Sequence, residues 1–156
     1  YTTSSFSDVS ASQYYAPYVE WAKESGVVLG VGENRFEPDA GITRQDIAVM
    51  ITRYAEFANK QFPVTLKYNI FADANEIGDY AKNAVDTLCN ANIINGIGGN
   101  LFNPKGLATR AEVSAILHRF ILAANLQSGT AAEAVSEAEA AAETTTAGAI
   151  GTGGAN

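Results

Sequence analysis

The chain has 156 residues, 17 acidic against 10 basic side chains, a formal charge of −7, and nearly half of its residues are apolar. That is enough for one ordinary domain or two small modules, and it argues against a nucleic-acid backbone as partner, which needs clustered Lys and Arg. The single cysteine, Cys89, rules out an intrachain disulfide framework, and no apolar run reaches the roughly 18 residues that cross a bilayer.

Taken in chain order, Tyr1-Thr2-Thr3-Ser4-Ser5 carries neither a basic nor an apolar signal segment and, starting without Met, reads as a processed or truncated end. Phe6-Ser7-Asp8 opens a unit whose first helix is expected from about Gln13 to Ser25, with Tyr15, Val19 and Ala22 on one face. Pro17 falls in its opening turn, where a missing N–H costs little. Gly30 through Pro38 is a turn. Thr43 is an N-cap with Asp46 three residues on, and Ile42 with Ile47 forms a hydrophobic staple. Ile47, Ile51, Tyr54, Ala55 and Ala58 then keep helical spacing.

Phe62 to Ile70 alternates, is rich in β-formers, and predicts an extended linker or short strand. The pattern then starts again. Phe71-Ala72-Asp73 repeats Phe6-Ser7-Asp8 at an offset of 65, and from Tyr14/Tyr80 onward the offset is 66. A first helix is expected from Ile77 to Ala91, a Gly/Pro turn over Gly96 to Pro104, and a second helix after Thr109 with Glu112 at the capping-box position. Three separated blocks at one offset mark an internal repeat. From Gln127 to Asn156 the composition turns to Ala, Glu, Thr and Gly. Ala131 to Glu143 has helical propensity but no apolar stripe, so this segment reads as a linker or as an arm that orders against a neighbour. The expected division is 1–59 for repeat one, 60–70 for the linker, 71–124 for repeat two and 125–156 for the tail.

On these residues the chain resembles the S-layer homology family. The aromatic-x-Asp openings, the Tyr14-Tyr15-Ala16 and Tyr80-Ala81 helix starts, the Gly-to-Phe-x-Pro turns, and Ile42-Thr43-Arg44-Gln45-Asp46 with Ala108-Thr109-Arg110-Ala111-Glu112 carry the likeness. It covers residues 6 to about 124. The resemblance implies a mainly α fold of helix–loop–helix repeats, part of a pseudo-threefold bundle with ligand grooves between repeats. It implies an extracellular location on the bacterial cell wall or surface, and a bacterial cell-wall polysaccharide, commonly pyruvylated, as partner. The family usually has three repeats and Trp where Tyr14 and Tyr80 stand here; two repeats are visible.

The residues give a physical reason for an anionic partner. Arg44 and Arg110 each follow an N-cap Thr, Thr43 or Thr109, so each guanidinium stands where backbone N–H groups converge. It is a bidentate donor suited to a carboxylate, borne by a ligand or by the protein itself. Tyr14 and Tyr80 are sugar platforms or core residues. Gly30 and Gly96 let a sugar approach the backbone or simply turn tightly. Asp8 and Asp73 are expected to buttress the loops rather than touch ligand.

No cofactor or metal is implied: Asp39 and Asp46 lack a calcium-loop series, and Gly96-Ile97-Gly98-Gly99 lacks the setting of a phosphate cradle. Cys89 and His118 do not make a nucleophile pair without a third, orienting group. The reading is a non-catalytic anchor. The alternatives are a subunit of a self-assembling surface layer or fibre, whose C-terminal arm meets other copies, and an enzyme, for which no catalytic constellation is present.

Overall fold

The computed structural model describes residues 4–62, 64 and 70–126. Most of the expected linker strand, the whole Gln127–Asn156 segment and its expected helix over Ala131–Glu143 lie outside the described residues. Among the described residues there are four helices and no strands: α1 (Ala16–Glu24), α2 (Arg44–Phe57), α3 (Lys82–Asn90) and α4 (Arg110–Leu126).

The second helices begin as their sequences dictate. Thr43 Oγ1 accepts from Asp46 N at 3.2 Å. Thr109 Oγ1 accepts from Glu112 N at 3.2 Å, while Glu112 Oε2 accepts from Thr109 N at 2.8 Å, a full capping box. The shorter Asp46 bonds the Thr43 hydroxyl instead. The first helices start later than their apolar spacing predicts. Residues ahead of α1 form separate turns, with Ala16 N donating to Gln13 O at 3.0 Å. Ahead of α3, a 3-10 turn over Ala74–Glu76 and a turn from Gly78 O to Ala81 N replace the expected helical start at Ile77. Gly78 N donates to Gln45 Oε1 at 3.0 Å and the Tyr80 ring folds back over Gly78, within 2.6 Å of where a Cβ would stand.

Each repeat anchors its Gly-rich turn in the same way. Asp8 accepts from Phe36 N at 2.9 Å and Glu37 N at 2.7 Å; Asp73 accepts from Phe102 N at 2.9 Å and Asn103 N at 2.7 Å. Phe6 packs on Phe36 and Phe71 on Phe102, both with ring centroids 5.4 Å apart.

The cores do not divide at the repeat boundary. A small cluster holds Phe6, Val9, Ala16, Val19, Val27 and Val28. The larger one joins Val85, Leu88, Ile93, Ile94 and Phe102 of repeat two with Ile47, Ala48 and Val49 of α2. Helix α2 therefore belongs to repeat one by sequence but packs against α3. Each large side chain buried there contributes roughly 1.5–3 kcal/mol. A run of aromatic contacts, Trp21 with Phe57 and Tyr54, and Tyr54 with Phe120, links α1, α2 and α4 at the surface.

Candidate functional site

The packing of α2 into repeat two sets the fate of Arg44. It is 4 % exposed. Its Nε donates to Phe102 O at 2.8 Å, Nη2 to Asn95 O at 2.5 Å and Nη1 to Glu112 Oε1 at 2.7 Å, and the guanidinium lies 5.1 Å from the Phe102 ring centre. Of the two partners left open by the sequence, a protein carboxylate is the one seen at Arg44, and burial leaves no donor face for a ligand. The backbone follows suit: Arg44 N donates to Gly106 O at 2.9 Å and Gln45 N to Pro104 O at 3.1 Å. The free N–H groups of the helix start are thus satisfied by the turn of the next repeat. Arg110 is exposed, and its guanidinium has no partner among the described residues.

The two tyrosines also differ. Tyr14 is 84 % exposed and touches Tyr15 edge-on at 5.2 Å. Tyr80 is tied to the α2 start, its hydroxyl donating to Asp46 Oδ1 at 2.6 Å and accepting from Gln45 Nε2 at 2.9 Å. Loss of solvent and the neighbouring Asp46 push the Tyr80 hydroxyl up to about 12, so it stays a donor at neutral pH. The residue as a whole remains 60 % exposed. Gly30 has φ +79°, and a Cβ there would meet Arg35 O at 2.4 Å and Phe6 at 2.5 Å. A Cβ at Gly96 would meet Leu101 O at 2.7 Å and Phe71 at 2.8 Å. Both glycines are required by the turn. Asp8 and Asp73 are held below the ordinary carboxylate range: the Phe36 N–H is the largest influence on Asp8, and at Asp73 burial is outweighed by the Phe102 and Asn103 N–H groups.

Two grooves lie beside these turns at equivalent places. The first, about 630 Å³, is lined by Gly30, Pro38, Asp46, Met50, Arg53 and Tyr80 among others. The second, about 320 Å³, is lined by Gly96, Asn95, Arg44, Glu112, Ile116 and Arg119. Asp46, Met50 and Arg53 match Glu112, Ile116 and Arg119 at the offset of 66. Arg53 and Arg119 are half-buried and form no ion pair among the described residues, whereas Asp46 and Glu112 already have donors. In the second groove Glu112 is already paired with Arg44 and Arg119 is left as a net positive charge, whereas the first groove sets Arg53 beside Asp46, whose side-chain donors are hydroxyls, and Glu37. Reading the helix starts alone misses these two arginines; their shared offset was the available signal. Among the described residues no cluster of His, Cys, Asp and Glu suits a metal ion. Burial pushes the Cys89 thiol up to about 12, and His118 is exposed, so neither is poised for nucleophilic chemistry.

The S-layer homology domain matches residues 5–48 and 70–114, more than half of the chain. The chain is 36 % identical over 120 residues to an exoglucanase, XynX, of Acetivibrio thermocellus, covering 77 % of this chain and 11 % of that protein. It is 35 % identical over 113 residues to an amylopullulanase of Thermoanaerobacterium thermosulfurigenes, covering 72 % and 6 %. A cell surface glycoprotein of A. thermocellus is 23 % identical over 124 residues, covering 76 % and 5 %. The chain thus spans a small fraction of the curated relatives it matches.

Proposed function

The chain belongs to the S-layer homology family, a non-catalytic anchoring domain of proteins at the bacterial cell surface, and from that premise we propose that it binds an anionic, pyruvylated wall polysaccharide in its two grooves. The observation that carries this reading is the pair of half-buried arginines, Arg53 and Arg119, that line equivalent grooves and form no ion pair among the described residues. A cation held half out of water attracts a carboxylate more strongly than a fully solvated one, and a guanidinium can bind a carboxylate through two parallel N–H bonds. In the first groove the exposed Tyr80 ring supplies a flat apolar surface for a sugar face. Gly30 and Gly96 keep the groove floors free of side chains. Arg44 acts indirectly, by holding the second groove's wall to α2. The glycosidase names among the relatives fit a module carried beside catalytic domains, and the module itself contributes retention at the wall.

The test is a pull-down of the purified chain with cell-wall sacculi before and after acid release of their secondary polysaccharide. Binding should vanish on stripping and should fall at least about tenfold, roughly 1.4 kcal/mol, when Arg53→Gln and Arg119→Gln are combined with helix content unchanged. Equal binding to stripped sacculi would reject a glycan partner. Undiminished binding of the double variant to intact sacculi would reject the grooves.

A further inference from the structure

Gln45, Asp46 and Gly78 hold Tyr80 at the wall of the first groove. Gln45 is 8 % exposed and uses both ends of its amide. Oε1 accepts from Gly78 N at 3.0 Å, and Nε2 donates to the Tyr80 hydroxyl at 2.9 Å. The direction is fixed, because a backbone N–H can only donate and the amide nitrogen is then left to face the tyrosine. The hydroxyl in turn donates to Asp46 Oδ1 at 2.6 Å, and the other Asp46 oxygen accepts from the Thr43 hydroxyl. Along the ring edge, Gly78 leaves room for the tyrosine: a Cβ there would stand 2.6 Å from Tyr80 Cε1 and 3.0 Å from Cδ1. The ring is thus tied at its hydroxyl and wedged along one edge, while the residue lines the first groove and stays 60 % exposed.

Helix α2 does not need Gln45 in order to begin. The start of α4 is capped in the same way with Ala111 at the equivalent position. A buried amide devoted to the hydroxyl of an exposed residue fits a task at that residue's outer surface. A ring left free would have to be ordered by its ligand, which for one immobilised side chain lowers affinity roughly two- to tenfold. Here the ring is ordered before any ligand arrives. The hydroxyl proton is committed to Asp46, so the ring offers a ligand carbon surface rather than a donor. That suits the apolar face of a sugar better than a hydroxyl or a carboxylate.

We infer that Gln45 is a positioning residue of the first groove, fixing the Tyr80 ring as a preset platform for the apolar face of a pyranose. The inference rests on the assignment of the grooves to wall polysaccharide.

The experiment titrates the full chain with the single repeating unit of the polysaccharide that acid releases from sacculi. Binding is read at the Gly30 amide for the first groove and at the Gly96 amide for the second. Gln45→Ala should raise the Kd at Gly30 roughly two- to tenfold and leave the Kd at Gly96 unchanged. Tyr80→Phe keeps the ring and removes its handle, and should raise the Gly30 value by a similar factor. In the Tyr80→Phe background Gln45→Ala should add little, the coupling expected when the amide acts through the ring. A glutamine that only stabilised the fold would add its full loss. In the free chain, nuclear Overhauser contacts between the Tyr80 ring and Gly78 should weaken in Gln45→Ala. An unchanged Gly30 Kd in either single variant, fully additive losses, or unaltered ring contacts would each overturn the inference and leave the grooves as glycan sites. Saturation at neither glycine in the wild type would reject the grooves, and the inference with them. If Gln45→Ala loses helix content, Tyr80→Phe, at an exposed position, decides the matter alone.

Discussion

The starts of α2 and α4 share one pattern, an N-cap threonine, an arginine and an acidic residue at the third helical position, and lie in opposite surroundings. Both are capped alike. Arg44 is buried among carbonyls and Glu112, and Arg110 is exposed. Local sequence thus decides how the helix begins; the neighbouring repeat decides what the arginine does. A cation at a helix N-terminus costs roughly 0.3–1 kcal/mol in isolation, which the α2 start recovers through its acceptors and the α4 start does not.

That contrast is sharpest in a pair of substitutions. Arg44→Ala should destabilise the chain by about 3 kcal/mol, because it strips charged hydrogen bonds from two carbonyls and leaves Glu112 without its cation. Arg110→Ala should change stability by less than about 0.5 kcal/mol. Urea unfolding of the two variants at a concentration where the chain is monomeric measures both, and equal losses would erase the distinction between seated and open starts.

Where the repeats are alike, matched changes should have matched effects. Gly30→Ala and Gly96→Ala each drive a Cβ into a backbone carbonyl and a phenylalanine ring. Each should cost more than about 1 kcal/mol, read as a fall in thermal midpoint. The acid limb of stability is also shared. Asp8, Asp73 and Glu112 all titrate below their ordinary range when folded, Glu112 chiefly through the Thr109 N–H. A depressed folded pKa adds stability that is present above the unfolded value and is lost as pH falls through the folded one. Stability should therefore decline below about pH 4. Urea midpoints across that range should show Asp73→Asn flattening the decline.

The smallest effect is a repair of one repeat by the other. Glu33 holds φ +49° where repeat two has Gly99 at +57°. Glu33→Gly should stabilise by about 0.5 kcal/mol, the relief of left-handed strain less the entropy glycine loses on folding. A loss of stability would mean that the Glu33 side chain holds the turn by contact.

Much of this was legible in the sequence. The 66-residue offset gave the repeat, the threonine caps gave the starts of α2 and α4, and the Phe-x-Asp blocks gave the loop buttresses, since each is a local signal. The late start of α3 was not legible, because apolar spacing continues through Gly78 to Ala81 although a tight turn occupies them. Nor was the burial of Arg44. It depends on α2 crossing into the core of repeat two, and no residue near Arg44 announces that neighbour. Arg53 and Arg119 went unnoticed because they lie deep in the second helices, away from the motif that draws attention.

The most direct measurement of the anchoring site is backbone amide chemical-shift mapping while released wall polysaccharide is titrated into the chain. Shifts should concentrate at Gly30, Arg53 and Tyr80 and, at the equivalent groove, at Gly96 and Arg119. Saturating shifts confined to another face, such as the aromatic run of Trp21, Tyr54 and Phe57, would contradict the assignment of the grooves.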